Sequence, residues 1–368
     1  MKKILIITPF FYPHVGGSER YMEELYAYIK EKYPAISVDV LCYDTDKAKA
    51  TEEYRGLNIY RIPCWTILPG QFCLPSPLPL FKFLQSHKSY DLVHSSTRFF
   101  DNSWWAPLYA KSIKAKVVLT DHCSSHPVSG NSFIDLLIRL IEETIVRFSL
   151  HNYDEIYAEN KKTRDFLKRN FNVSSQVAYP GLSHQDKGSF EHKNNKRLKI
   201  VYVGRMIKSK GVGDLFEIAR NTPKADFFLA GDGQLKSSLK EKKQVDNLTN
   251  IHILGNLSKI EVSRLLKSAD IFVYPSRHSE GLPLALVEAG SSKVAVVATD
   301  SGAIGELIQD NRTGLLVKSG DRQAFKAVLD KLIKDKSLRL KLGKNLYNFT
   351  LANFSWEKPT KMIIDKLQ

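Results

Sequence analysis

The chain has 368 residues, a formal net charge of +15, 43% hydrophobic residues and 25% charged ones. That length suits about two domains at roughly 100–200 residues each, and the composition excludes extended disorder. The four cysteines, Cys42, Cys64, Cys73 and Cys123, show no CxxC spacing, which excludes a zinc ribbon and a disulfide framework.

Met1-Lys2-Lys3 runs straight into the first strand, Lys3–Ile7, so no secretory leader is expected and the reading is a cytoplasmic protein. The loop Thr8–Arg20 follows, with Gly16 and Gly17 just ahead of a helix over Ser18–Lys32 for which Ser18 is the expected N-cap. Strands are predicted at Val38–Cys42 and Ile59–Ile62. The uncharged stretch Ile62–Phe81 contains Pro63, Pro69, Pro75, Pro77 and Pro79 and cannot be a membrane-spanning helix. Trp65, Phe72, Phe81 and Phe83 from this region, with Phe99, Phe100, Trp104 and Trp105, form an aromatic candidate surface for an acceptor. Further strands are expected at Asp91–His94, Val117–Thr120, Glu155–Ala158 and Gln176–Tyr179.

Between Val117–Thr120 and Glu155–Ala158 lies Ser132–Leu150, where Asp135, Arg139, Glu142, Glu143 and Arg147 make a narrow polar stripe on an otherwise apolar helix. Two readings stand: a core helix under the sheet, or a helix lying in a membrane interface and presenting a lipid-linked acceptor. The stretch after Gly181 is polar, rich in Lys, Asn and His, and reads as a linker over 183–198. Residues 1–182 therefore form one domain and 199–354 a second, with strands at Lys199–Val203, Ala225–Ala230, Ile251–Leu254, Ile271–Tyr274, Val294–Ala298 and Gly314–Val317. Helices fall near 211–221, 234–244, 258–268, 283–291 and 303–309, then in a lysine-rich tail. Strands alternating with crossover helices imply two α/β, Rossmann-like, doubly wound parallel sheets, with a ligand cleft between the domains.

Most of the positive charge lies in the second half, which suits an anionic small ligand or an acidic membrane surface. The lysines are scattered and no nucleic-acid module accompanies them, so nucleic acid is not expected as a partner. Three loops carry candidate chemistry. At Gly16-Gly17, free amides at a helix start favour an anion, while a tight turn needing positive φ explains the same pair. At Gly204-Arg205…Lys210-Gly211, a guanidinium and an ammonium flank a strand end, where they grip an oxyanion or simply face solvent. At Ser279-Glu280-Gly281-Leu282-Pro283, a strand's carboxyl end enters a helix whose first residue is expected to be Pro283 and which carries Glu288 about a turn and a half in. A glutamate on so apolar a helix needs a partner or a ligand.

Gly16-Gly17-Ser18-Glu19-Arg20, Gly204-Arg205…Lys210-Gly211, Ala230-Gly231-Asp232-Gly233 and the Glu280…Glu288 spacing occur in one order along nearly the whole chain. Together they resemble family 4 retaining glycosyltransferases of the GT-B fold. Gly302–Glu306 and Asn311–Val317 are similar to the later segments of that family. The resemblance implies a cleft between the two domains and a C-terminal helix, about 355–368, crossing back onto the first. It further implies transfer of a hexose-type sugar from a nucleotide diphosphate sugar to a glycan or lipid-linked acceptor, with a UDP-sugar as first guess and GDP-mannose as second.

In that likeness Arg205 and Lys210 match the diphosphate grip, Glu288 the ribose-binding carboxylate and Glu280 the carboxylate facing the donor sugar. Gly281, Leu282 and Pro283 form the helix start that holds phosphate and sugar oxygens, Leu254 lies in the segment that meets the base, and Gly16 and Gly17 match the loop closing on the diphosphate. His122 matches the histidine near donor sugar and acceptor, although Cys123 stands where relatives carry Gly or Asp, and His126 is a neighbouring candidate. No cofactor or metal is expected, because the two cations meet the leaving charge. Peripheral attachment at the inner face of a membrane is expected through Ser132–Leu150. The rival readings are a nucleotide-sugar epimerase of the same architecture and a non-catalytic nucleotide-sugar-binding protein.

Overall fold

The structure, a computed structural model, describes residues 1–14, 16–68, 72–129, 131–182, 197–279 and 281–367. Its contacts gather the chain into two units, Met1–Pro180 with Trp356–Gln368, and Gly181–Ser355.

The first unit is built on strands β1 (Lys3–Ile7), β2 (Ser37–Tyr43), β3 (Thr51–Tyr54), β4 (Leu57–Ile62), β5 (Cys64–Leu68), β6 (Phe72–Pro75), β7 (Leu92–Ser96), β8 (Lys116–Asp121), β9 (Glu155–Ala158) and β10 (Gln176–Val177). Eight of them form one sheet in the order β10-β9-β8-β7-β1-β2-β4-β3. All its pairs are parallel except β3 with β4. Helices cover both faces, so the central strands are apolar runs rather than alternating ones: Ile4, Leu5, Ile6 and Ile7 are all buried. Ile4 and Ile6 pack under α1 (Gly17–Lys32) and the C-terminal helix Glu357–Asp365, while Leu5 and Ile7 pack under α2 (Pro77–Ser86) and α3 (Asn102–Ser112).

The antiparallel edge strand β3 and the β5–β6 ribbon were not among the predicted strands. The ribbon lies in the proline-rich stretch, with Pro75 at its end, where a lost amide donor is tolerated. The predicted cap of α1 is also corrected. Gly16, in extended conformation, takes the N-cap position, and Ser18 lies inside the first turn.

Ser132–Leu150 forms α4 (Ser132–Ile141), a π-helical turn (Glu142–Val146) and α5 (Arg147–Leu150). Asn131 caps it, its side-chain oxygen accepting from Phe133 N and Ile134 N. No residue of α4 is buried, and Phe133, Leu136 and Leu140 are 68, 65 and 60% exposed. The core-helix reading therefore holds only for the far end, where Val146 and Leu150 join a cluster with Phe166, Leu167 and Phe171 of α6 (Lys161–Phe171). Among the described residues no helix is long and apolar enough to cross a membrane.

The second unit carries a six-stranded, all-parallel sheet in the order β13-β12-β11-β14-β15-β16. Its strands are β11 (Leu198–Val203), β12 (Ala225–Ala230), β13 (Ile251–Gly255), β14 (Ile271–Tyr274), β15 (Ala295–Asp300) and β16 (Leu315–Lys318). The helices are α7 (Val212–Arg220), α8 (Lys236–Val245), α9 (Lys259–Lys267), α10 (Leu284–Gly290), α11 (Ile304–Leu307), α12 (Arg322–Lys334) and α13 (Lys336–Asn353). Ser258 opens α9 with a reciprocal capping box to Glu261, a spacing readable in sequence. Strand order reverses between β11 and β14, so the loops that leave these two neighbours lie side by side at the sheet's carboxyl edge.

Candidate functional site

The loop after β11 is fixed from below and from both sides. Gly204 N donates to Ala230 O at 3.0 Å, Met206 N to Asp232 O at 2.7 Å, and Gly231 N to Gly255 O at 2.7 Å. Side chains are excluded at two contacts: a Cβ on Gly231 would sit 2.0 Å from Gly204 O, and one on Gly211 would sit 2.0 Å from Pro275 O. Both glycines have positive φ, +130° and +69°, which independently disfavours any side chain. The loops after β11, β12 and β14 are thereby keyed to one another through backbone.

Arg205 stands exposed on this frame, its carbonyl accepting from Tyr202 Oη at 2.8 Å. Lys210 ends a single 3-10 turn (Lys208–Lys210), and its ammonium lies 3.2 Å from Tyr274 Oη. Ser209 O accepts from Arg277 N at 2.8 Å, which ties the turn to the segment after β14. Tyr274, the last residue of β14, is thus a positioning contact for Lys210 that the sequence analysis missed. The available signal was its place one residue ahead of the β14 loop.

That segment leads into α10. Pro283 has extended backbone (φ −65°, ψ 120°) and is the N-cap rather than the first helical residue. Its carbonyl accepts from Leu286 N at 2.9 Å and starts the helix. Leu282 is buried, Gly281 half-buried, and Glu288 lies half-buried in the second turn of α10, where Ser291 Oγ and Ser292 Oγ donate to its carbonyl. Glu280 lies outside the described residues. Leu254, near the end of β13, is 39% exposed. Beside it, Lys236 donates to Asp232 at 2.5 Å and, with the Gly233 amide, holds that carboxyl below its usual range. The second unit therefore brings Arg205, Lys210, Gly281, Leu282 and Pro283 to one edge of one sheet. Among the described residues no cluster of His, Cys, Asp or Glu suits a metal ion.

In the first unit, Gly16 and Gly17 begin α1 without positive φ. No described protein atom lies within 4 Å of a Cβ built on Gly17, and one on Gly16 would meet only the end of the Glu19 side chain. The positive-φ reading of this pair is thus corrected. One turn into α1, Tyr21 stacks edge-on against His122, centroids 5.0 Å apart, so the same unit draws the two elements together. His122 follows β8, and its Nδ1 lies 3.0 Å from Glu159 Oε2.

The loop carrying His122 hangs on Arg98. This fully buried guanidinium pairs with Asp121 and donates to the carbonyls of Cys123 at 2.7 Å and Ser125 at 2.6 Å. It also lies 3.4 Å from the buried Glu142 of the π-helical turn. His126 is engaged with that same Glu142, which makes it a structural neighbour. Burial pushes the Cys123 thiol up to about 12, so it is no nucleophile near neutrality. Burial, with His122 nearby, pushes His94 down to about 3; Tyr26 Oη and Thr120 Oγ1 bond its two nitrogens.

The aromatic candidates divide. Phe83 belongs to the core, Phe72, Phe99 and Phe100 pack on one another, and Trp65 and Phe81 are exposed. Between α2 and α3 runs an open groove of about 680 Å³, lined by Leu80, Phe81, Leu84, Trp105 and Leu108 among others.

Residues 15–186 match the family described as Glycosyltransferase Family 4, and residues 185–349 match Glycosyl transferases group 1. An uncharacterized glycosyltransferase of Methanocaldococcus jannaschii is 28% identical over 98% of this chain and 97% of its own length. A GDP-mannose-dependent monoacylated alpha-(1-6)-phosphatidylinositol monomannoside mannosyltransferase of Corynebacterium glutamicum is 25% identical over 100% of this chain and 98% of its own. Among solved structures, Anabaena HepE in complex with UDP-glucose superposes with a TM-score of 0.76 at 14% identity, covering 100% of this chain and 99% of that one.

Proposed function

Because this chain belongs to the group 1 glycosyl transferases of GT-B fold, we propose that it is a retaining, metal-independent hexosyltransferase. It moves a sugar from a nucleoside diphosphate donor to a glycan or lipid-linked acceptor in cell-surface polysaccharide or glycolipid synthesis. A UDP-sugar is the first candidate, by likeness to the UDP-glucose-bound HepE, and GDP-mannose the second, by likeness to the Corynebacterium mannosyltransferase.

The observation that carries the reading is the keyed loop frame that holds Arg205 and Lys210 at the carboxyl edge of the second sheet, the edge from which the segment leading to α10 also leaves. Cleaving a sugar–phosphate bond leaves negative charge on the diphosphate, and fixed cations aimed at that charge lower the barrier because they need no reorganisation. In this assignment Arg205 forks two phosphate oxygens and Lys210, steadied by Tyr274, meets a third as a point charge. The amides of Gly281 and Leu282 before Pro283 hold phosphate and sugar oxygens, Glu288 takes the ribose hydroxyls, Glu280 faces the sugar, and Leu254 borders the base. From the first unit, Gly16 and Gly17 offer amides to phosphate, and His122 meets a sugar hydroxyl. The acceptor hydroxyl attacks from the face the diphosphate leaves, and the departing phosphate oxygen takes its proton. Two protein cations do the work a metal would do, so EDTA should leave turnover intact.

The exposed apolar face of α4 supports docking at the cytoplasmic face of a membrane. Leu78, Phe81 and Leu108 are exposed on the same helical layer, and the exposed cations Lys82, Lys88, Lys111 and Arg139 suit anionic lipid. The test of the enzymatic reading is release of free UDP or GDP from UDP-glucose and GDP-mannose. Release should occur with the natural chain and fail with Arg205→Ala/Lys210→Ala; equal release by that variant would overturn it.

A further inference from the structure

His122 and Glu159 each stand one residue beyond the end of neighbouring parallel strands. Asp121 of β8 pairs with Ala158 of β9, so the next residue on each strand falls side by side. The result is the 3.0 Å contact between His122 Nδ1 and Glu159 Oε2, with the two side chains only 7 and 10% exposed. Glu159 is held from both sides: its amide donates to Asp121 O at 3.0 Å, and Asn160 caps α6 by accepting from Thr163 N at 2.9 Å. The His122 ring is held as well. Tyr21 stands edge-on to it, and Trp356 stands edge-on to Tyr21 at 5.1 Å.

A carboxylate only accepts, so the contact places a proton on Nδ1, and the neutral ring then carries its lone pair on Nε2. That Nε2 is buried and has no hydrogen-bond partner among the described residues. Burying an acceptor without a donor is costly, and a site that keeps one has a use for it. We infer that Glu159 is a positioning residue that locks His122 as a hydrogen-bond acceptor, so that its Nε2 receives the proton of a sugar hydroxyl rather than donating to phosphate. This rests on the placement of His122 at the sugar made above. It adds a residue and a direction to that contact: the sugar must present an O–H there.

The test uses the full chain with 15N-histidine and Glu159→Gln, which keeps shape but lets the side chain donate as well as accept. Loss of one resonance set in His122→Gln assigns the ring. In the natural chain the His122 nitrogens should report a protonated Nδ1 and a bare Nε2, and Glu159→Gln should raise the Nε2–H form. The same variant should lower kcat for UDP or GDP release at least about tenfold, by analogy with the carboxylates that orient metal-bound histidines, with a smaller change in donor KM and an unchanged melting midpoint. A protonated Nε2 in the natural chain, an unaltered tautomer in Glu159→Gln, or an altered tautomer with unaltered kcat overturns the inference. Unaltered turnover in His122→Gln would instead remove the placement of His122 and leave the tautomer result standing.

Discussion

Serine substitution of Leu136 and Leu140 tests membrane docking in a form that separates surface from stability. Both side chains lie on α4, where no residue is buried, so their replacement should leave the melting midpoint unchanged. Phe133, Leu136, Leu137, Leu140, Ile145 and Phe148 together expose about three and a half side chains' worth of apolar surface, and withdrawing it from water is worth about 5–10 kcal/mol. Leu136 and Leu140 each contribute about 1–2 kcal/mol of that. Leu136→Ser/Leu140→Ser should therefore weaken partition onto vesicles roughly 30-fold or more, at 1.4 kcal/mol per decade. The assay is sedimentation with phosphatidylglycerol-containing vesicles at low ionic strength. Attachment should also weaken with added salt, through the exposed Lys82, Lys88, Lys111 and Arg139. A natural chain that stays in the supernatant, or a double variant that pellets equally, refutes the reasoning.

At the donor loop, Arg205→Ala or Lys210→Ala alone should cost about 2.7–4 kcal/mol in kcat for nucleotide release, by analogy with an oxyanion donor, read as a drop of two to three decades in initial rate. Gly211→Ala adds a Cβ 2.0 Å from Pro275 O at a φ of +69°. It should destabilise the second unit by at least about 1–2 kcal/mol, while Gly213→Ala, with nothing within 4 Å of its Cβ, should not; paired thermal melts decide this. His94 titrates near 3 in the fold against 6.5 in the open chain, so below pH 6.5 the unfolded state takes a proton that the folded state refuses. Stability should fall by up to about 1.4 kcal/mol per pH unit from this residue between 6.5 and 3. Urea midpoints of the natural chain and His94→Gln should then converge as pH drops from 7.5 to 5, and a constant gap would sink the assignment.

The sequence placed β1, β9, β12 and β14 to the residue because each is a short apolar run whose neighbours turn polar at once. The Arg205–Lys210 loop was legible for a related reason: its glycines bracket the cations, and Gly211 lies where a backbone oxygen leaves no room for a side chain. Other features were written in no local pattern. An apolar helix reads as core until the layer above it is found missing, as over α4. The N-cap of α1 fell on Gly16 because extended backbone, not a side-chain oxygen, sets that start. Glu159 escaped notice because its meaning comes from the β8–β9 register, which joins residues 37 apart in sequence.

The backbone keying of Gly204 to Gly231 and of Gly211 to Pro275 bears on how this enzyme can be altered. No one of those segments can be lengthened or swapped while the other two stay as they are, because each fills the room the next would need. A change of nucleotide preference by grafting must carry the β11, β12 and β14 exits together. Point changes, whether natural drift or laboratory selection, are confined to outward positions such as Leu254, where a new side chain meets solvent rather than a neighbour's carbonyl.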